Sequence, residues 1–241
     1  LPATDRTDYC ARGIMYIVRQ VYRSALLSGA AKRTPANALY GALEPRKTTP
    51  RPAITEPKKV GQLLRDCDNY EGYFPIVCAL RLAPLVFVRP TELRAAEWSE
   101  FNLESKEWRI PATRMKMKQI HIIPLAAQAI KILVELHEFS GGVKYLFPSI
   151  RTETRPISDA TLLNALRRMG YAKDEMCTHG FRSVASTLLN ELGYNRDWIE
   201  RQLAHGERND VRAAYNYAEY LPERRRMMTE WAEYLDELKK K

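Results

Sequence analysis

The sequence predicts a mainly helical protein of the α+β class, with a small antiparallel β-sheet. Residues 8–29 carry apolar side chains at the i, i+3, i+4 and i+7 spacing of an amphipathic helix. Residues 126–136 repeat that spacing. Two short apolar runs at 108–110 and 120–123 are typical of strands, and the residues between them form a basic turn. We therefore expect a mostly helical protein with a small sheet.

The other elements follow from the same signals. Further helices are predicted over 56–70 and 73–87, from residue 158 onward, and finally over 222–238, where a proline suits the first helical turn. A turn is expected at Arg89-Pro90, and Tyr145 to Pro148 is a candidate third strand.

A basic, proline-rich stretch divides the chain. Residues 44–53 include three prolines and three basic residues but few apolar ones, which is typical of an extended linker. Two interpretations of this stretch are equally favoured: a solvated hinge, and a basic tether that follows a DNA backbone. We expect one domain before it, over 1–43, and a larger one over 54–241.

Composition restricts the partners. The 241 residues carry a net charge of +9, which favours a polyanion such as nucleic acid. The four cysteines form no CxxC pair, which argues against zinc and favours reduced thiols in a cytoplasmic protein. The longest apolar run is too short to span a bilayer, so no membrane partner is expected. The chain opens on Leu1 rather than Met, so we expect a fragment.

Two sequence boxes combine arginine with helix-start signals. Pro90 favours the first helical position, which places Arg89 at an N-cap beside free N–H groups, with Glu92 in the first turn. His179 and Arg182 share one helix face, with Thr178 as the candidate N-cap. Each arrangement suits an anion. Each also has a plain structural interpretation, a surface ion pair or a capped helix with a partly buried histidine.

Three further positions complete a candidate reaction centre. Lys116, in the basic turn, could reach a leaving oxygen as a general acid, or serve only solubility. His205 precedes glycine at a helix C-terminus, where the helix dipole favours it in any case. Three nearby tyrosines compete as the nucleophile, namely Tyr215, Tyr217 and Tyr220. Tyr215 shares a face with apolar residues and Tyr217 points the opposite way, which favours Tyr215.

Together these side chains suit an attack on a phosphodiester. The phenol would be the nucleophile, and the cations would neutralise the charge that grows on the phosphorus oxygens. No carboxylate cluster for Mg²⁺ and no GxxxxGK[ST] loop for ATP stand out. Neither a metal nor a nucleotide cofactor is therefore expected.

Five boxes in order give the chain a family resemblance. They are Phe87 to Arg94, Ile110 to Met117, His121 to Leu125, His179 to Arg182, and Val211 to Asn216. In these boxes the sequence resembles the tyrosine recombinases, the phage-integrase family of DNA strand-exchange enzymes, and most of all integrases of satellite prophages and genomic islands. The resemblance covers about residues 53–238. It implies that residues 1–43 are the end of a helical core-binding domain and that 54–241 are the catalytic domain.

The resemblance also implies roles for the residues that bind the scissile phosphate. Arg89 and Arg182 would hold its non-bridging oxygens. His205 would donate a hydrogen bond to the phosphate. Glu92 would support the phosphate-binding residues without contacting the phosphate itself.

The remaining roles concern proton transfer and the covalent step. The resemblance implies that Lys116 protonates the departing 5′ oxygen and that His179 assists deprotonation of the tyrosine. Tyr215 would form a 3′-phosphotyrosyl bond.

The implied function is site-specific recombination that integrates or excises a mobile element. The implied partners are double-stranded DNA attachment sites and accessory DNA-bending proteins. The chain would form a tetramer on DNA, with a monomer possible off DNA. The implied location is the bacterial cytoplasm, in association with the nucleoid. The apolar face of the last helix, over 222–238, would pack on its own core or on a neighbouring protomer. Two alternatives stay open: relaxation of supercoils like a type IB topoisomerase, and DNA binding without catalysis.

Overall fold

The computed structural model describes residues 3–35, 51–205 and 219–240, with side chains described from residue 10 onward. The chain divides into two compact units, residues 1–50 and residues 51–241. In the first unit, helix α1 (Ala3–Leu27) confirms the predicted amphipathic helix. Gly29, at φ 75°, lies in the left-handed region just beyond the helix, where glycine carries no steric penalty.

The second unit is mainly helical, as predicted. Its helices are α2 (Pro57–Asp68), α3 (Phe74–Val86), α4 (Pro90–Arg94), α5 (Ala127–Ser140), α6 (Thr161–Arg168), α7 (Gly180–Glu191), α8 (Arg196–Gln202) and α9 (Leu221–Lys240). Its strands are β1 (Phe101–Asn102), β2 (Glu107–Ile110), β3 (His121–Pro124), β4 (Pro148–Ser149) and β5 (Thr152–Pro156).

Helix α3 lies at the centre of this unit and packs against α2, α5, α6, α7 and α9. Almost all of its side chains are apolar and buried, which explains why its sequence has no polar face. Arg81 is the exception, and its guanidinium donates to the carbonyl oxygen of Asp68. The helix ends where Phe87 adopts φ 36°, and this turn brings Arg89 to the start of α4.

The apolar face of α9 packs within its own unit. Met227, Met228, Trp231 and Leu235 are all buried, and the indole N–H of Trp231 donates to the carbonyl oxygen of Pro84. Of the two alternatives for this face, the structure therefore shows packing on the protein's own core. The contact with α2 is so close that a Cβ built at Gly61 would lie 2.2 Å from the carbonyl oxygen of Leu238.

The two predicted strands of the hairpin are present as β2 and β3. They pair antiparallel, with Ile110 opposite His121, and β1 joins as the third strand. The predicted strand over 145–148 is only partly present, because Tyr145 forms an isolated bridge to Glu97 and the ladder of β4 with β5 begins only at Pro148. None of the described helices is long and apolar enough to cross a membrane.

Candidate active site

Arg89 occupies the N-cap of α4, as predicted, with Pro90 at the first helical position. Its backbone N–H donates to Glu92 Oε2 at 2.8 Å, and its Nη1 donates to Oε1 of the same carboxylate at 2.7 Å. Glu92 is only 4% exposed. The pair is therefore not an ordinary surface ion pair, because a buried carboxylate holds the guanidinium in a fixed direction.

Arg182 lies in the first turn of α7 and is 3% exposed. Its Nη1 donates to the carbonyl oxygen of Phe87 at 2.9 Å, and its Nη2 donates to that of Leu203 at 2.6 Å. Burial, and secondly the charge of Arg89, lowers the pKa of Arg182 to about 10. The guanidinium therefore remains charged at neutral pH.

The two arginines converge on one turn of the chain. Arg89 Nη2 donates to the carbonyl oxygen of Ala204 at 3.0 Å, and Arg182 binds the preceding carbonyl, that of Leu203. Ala204 has φ 49°, and this left-handed residue ends α8. Two guanidinium groups thus meet at one point of the fold, and two guanidiniums suit an anion.

His205 contacts Arg182 directly, and we call Arg89, Glu92, Arg182 and His205 the arginine cluster. Its Nε2 lies 3.1 Å from Arg182 Nη2, and its Nδ1 lies 2.7 Å from Glu200 Oε2. Sequence reasoning missed Glu200, because a spacing of five residues is not a helical side-chain pair. The contact forms only because α8 ends at Gln202 and the chain turns at Ala204.

His179 lies at the N-cap of α7 and is partly buried. The predicted cap, Thr178, is therefore wrong by one residue, and no side chain at this cap bonds the helix N-terminus. Burial lowers the pKa of His179 to about 4, and the charges of Arg51 and Arg182 act in the same direction. The ring is neutral at pH 7 and so has a lone pair that can accept a proton.

Lys116 lies in the turn between β2 and β3, exposed and with no hydrogen bond or ion pair to any residue that the structure describes. The base of the turn is fixed, because Met115 is buried and Arg114 pairs with the carboxylate of Glu100. Arg114 also donates to the carbonyl oxygen of Glu92 at 2.9 Å. The hairpin is thus joined to α4, while the ammonium itself is free of the arginine cluster.

A second buried polar group supports α8 from the other side. Arg224, with 0% exposure, donates to Gln202 Oε1 from both Nε and Nη2, at 3.0 and 2.7 Å, and contacts the carbonyl oxygen of Ile122. His121 Nε2 lies 3.1 Å from the carbonyl oxygen of Gln202. Burial, and secondly the charge of Arg224, lowers the pKa of His121 to about 3. Sequence reasoning gave neither Arg224 nor Gln202 a role.

The candidate nucleophile lies outside the described residues. Tyr215 and its competitor Tyr217 both fall within residues 206–218. The described chain resumes at Glu219, whose carboxylate pairs with Arg201 of α8. Adjacent residues of α8 therefore bind the two ends of this stretch: Glu200 binds His205 before it, and Arg201 binds Glu219 after it.

Elsewhere the described chain has a cavity but no candidate metal site. No group of three or more His, Cys, Asp or Glu side chains in the described ranges could hold a metal ion. A cavity of about 370 Å³ lies between α2, α3, α5 and α9, lined by Asp68, Arg81 and Lys239 among others. None of the arginine-cluster residues lines it.

Comparison with known proteins agrees with this architecture. Residues 54–221 match the model of the phage integrase family, so the chain belongs to that family. It is 40% identical to the integrase of Enterobacteria phage P4, over 97% of this chain and 56% of the phage protein. It is 39% identical to the putative protein IntB of Escherichia coli (strain K12), over 90% of this chain and 58% of that protein. The chain thus spans just over half the length of these curated relatives.

Solved structures share the fold at low identity. A lambda integrase dimer bound to a COC′ core site superposes with a TM-score of 0.63 and 19% identity, over 88% of this chain and 59% of that chain. The Tn1549 transposon integrase in complex with circular intermediate DNA gives 0.62 and 14%, over 90% and 77%. These likenesses confirm the mainly helical fold with small antiparallel sheets.

Proposed function

We propose that the protein is a site-specific DNA recombinase that integrates or excises a mobile element through a covalent 3′-phosphotyrosyl intermediate. The observation that carries the proposal is the convergence of Arg89 and Arg182 on consecutive carbonyls beside His205. Two guanidiniums suit the oxygens of a phosphate, which arginine can bind in a bidentate manner. The family relationship supports the same chemistry.

A hydrogen-bond donor in the cluster also favours an anion. Arg182 Nε is buried and has no hydrogen-bond partner among the residues that the structure describes. An unsatisfied buried donor costs about 1–3 kcal/mol, which a phosphate oxygen would recover. The anion would also offset the mutual repulsion of the two arginines, which already contributes to the lowered pKa of Arg182.

In the proposed reaction, the phenolic oxygen of Tyr215 bonds to phosphorus while the bond to the 5′ oxygen breaks. His179, neutral at pH 7, accepts the phenolic proton, and Lys116 protonates the departing oxygen. Arg89 and Arg182 bind the charge on the equatorial oxygens, with Glu92 holding Arg89 in place. The Nε2 of His205, which accepts from Arg182 Nη2 in the structure, donates to a phosphate oxygen in the doubly protonated form of the ring. Attack by a 5′ hydroxyl reverses the step and rejoins the strand.

The proposed partners follow from this chemistry. Double-stranded DNA attachment sites are the substrate, and the active assembly is a tetramer of this protein on DNA, aided by accessory DNA-bending proteins. A related solved structure is a dimer bound to a core site, which supports both a DNA partner and assembly of copies. We place residues 1–43 in a core-binding domain, 44–53 in a linker and 54–241 in the catalytic domain. The proposed location is the bacterial cytoplasm, at the nucleoid.

The decisive experiment traps the covalent intermediate. Lightly nicked genomic DNA is incubated with the protein and denatured, and the fragments that stay attached are sequenced. Tyr215→Phe should abolish the adduct and Tyr217→Phe should retain it. If Tyr215→Phe still forms adduct and Tyr217→Phe does not, the nucleophile is misassigned, and if the unaltered protein forms none, it is a DNA-binding protein without catalysis.

A product assay separates recombination from relaxation. Plasmids that carry two copies of the trapped site should yield recombinant junctions if the protein exchanges strands. A type IB topoisomerase activity would give relaxed circles only.

A further inference from the structure

The carboxylate of Glu200 has no role in the reaction proposed above, although it contacts His205, which has one. Its Oε2 is 2.7 Å from His205 Nδ1, and the opposite nitrogen of the same ring is 3.1 Å from Arg182 Nη2. The imidazole is therefore held at both ends, by an acceptor on one side and by a donor on the other.

This arrangement is compatible with one neutral form of the ring. A guanidinium N–H can only donate, so Nε2 must accept, and a carboxylate can only accept, so Nδ1 must carry the proton. The opposite tautomer would set two donors against each other at Nε2 and two acceptors against each other at Nδ1. Glu200 thus supplies the partner that makes this tautomer and this ring orientation favourable.

The side chain needs such a partner because little else restrains it. His205 and Glu200 are 41% and 39% exposed, so packing alone does not fix the ring. The backbone of Glu200 is fixed, since its carbonyl accepts the N–H of His205 at 3.0 Å and its neighbours Ile199 and Gln202 are fully buried. An anchored carboxylate can therefore orient an otherwise mobile imidazole.

We infer that Glu200 is a positioning residue: by accepting the Nδ1 proton of His205 it directs Nε2 into the cluster of Arg89 and Arg182. The effect of Glu200 on the reaction rests on the proposed function, whereas its effect on the orientation of the His205 ring does not. A hydrogen bond carries the effect, so an amide oxygen at the same place should replace the carboxylate.

Nitrogen NMR tests the geometric part without any DNA. The chain has four histidines, so ¹⁵N-histidine spectra of the full chain are simple, and a His205→Gln variant assigns the ring. His205 should show a protonated Nδ1 and a bare Nε2 in the unaltered protein and in Glu200→Gln, and averaged shifts in Glu200→Ala. A proton on Nε2, or shifts in Glu200→Ala that match the unaltered protein, would overturn the inference.

Single-turnover DNA cleavage tests the functional part. Glu200→Ala should slow adduct formation on the order of tenfold to a hundredfold, by analogy with the loss of a hydrogen-bond partner from a metal-binding histidine, without weakening DNA binding. Glu200→Gln should restore most of the rate, and Glu104→Gln, at an exposed turn, should match the unaltered protein. An equal loss in Glu200→Gln and Glu200→Ala would exclude positioning by a hydrogen bond. Absence of any adduct in the unaltered protein would refute the proposed function while the NMR result still decided the geometry.

Discussion

Arg89 Nη2 donates a hydrogen bond to the carbonyl oxygen of Ala204, 115 positions further along the chain, at 3.0 Å. The bond joins the start of α4 to the turn after α8, and Arg182 binds the neighbouring carbonyl of Leu203 from α7. Helix α4, helix α7 and the turn after α8 therefore place their cationic and imidazole groups around one point, although α4 lies far from the other two in sequence. A phosphate bound there would contact groups that the fold already orients, so little free energy is spent on ordering them.

Replacement of Arg89 should affect catalysis far more than folding. We expect Arg89→Lys to lower the rate of adduct formation by about 10²–10³-fold, because a lysine keeps the charge but cannot bind a phosphate in a bidentate manner. Single-turnover cleavage measures this effect, and circular dichroism measures the fold. Arg155→Gln, at an exposed strand position, is the matched control and should cleave normally. An Arg89→Lys variant with the unaltered rate would remove Arg89 from the phosphate site.

Glu92 should matter for stability as well as for activity. Its carboxylate accepts from both the backbone and the guanidinium of Arg89 while it is 4% exposed. Glu92→Ala leaves these donors without their acceptor, so the free energy of unfolding should fall by about 3 kcal/mol or more. Urea denaturation measures the loss. Exposed Glu104→Ala should cost far less, and equal losses in the two variants would show that the buried pair contributes no stability.

The sequence predicts elements well where apolar spacing is strong. The periodicity around α1, α5 and the β2–β3 hairpin gives elements that the structure contains, with ends displaced by a few residues. It fails at Tyr145, because an apolar run that is buried next to a strand looks the same as a strand. It also fails at Thr178, where the preference of threonine for caps does not determine where α7 begins.

Residue types and their order predict the main residues of the candidate site, but they do not predict the residues that hold these in place. Arg89, Arg182 and His205 stand out because their chemistry and order suit a phosphodiester. Glu200 and Arg114 do not stand out, because their contacts depend on the turn at Ala204 and on the approach of the hairpin to α4. Such contacts arise from tertiary structure, which local spacing does not encode.

The protein should lose stability in mild acid because of His121. Its pKa is about 3 in the folded state against 6.5 for an ordinary histidine, so between these values the unfolded chain binds a proton that the folded chain does not. Stability contributed by the neutral ring is complete above pH 6.5 and declines as the pH falls toward 3. The slope is up to about 1.4 kcal/mol per pH unit.

Urea denaturation between pH 7 and pH 4 measures that slope. His121→Gln removes the titrating group, so its free energy of unfolding should depend less steeply on pH than that of the unaltered protein. His137→Gln, at an exposed position of α5, should retain the steeper dependence. Parallel curves for His121→Gln and the unaltered protein would show that His121 takes up its proton as readily in the folded state as in the unfolded state.

The contact between α2 and α9 should tolerate no side chain at Gly61. A methyl group there would lie 2.2 Å from the carbonyl oxygen of Leu238, a backbone atom that cannot rotate away, so the two helices would have to separate. We expect Gly61→Ala to lower the free energy of unfolding by about 1–3 kcal/mol, although alanine favours a helix more than glycine does. Gly142→Ala, where no atom lies within 4 Å of the added Cβ, is the matched control. Thermal denaturation of both variants compares them, and a Gly61→Ala protein that is as stable as Gly142→Ala would mean that α9 packs less closely than the structure shows.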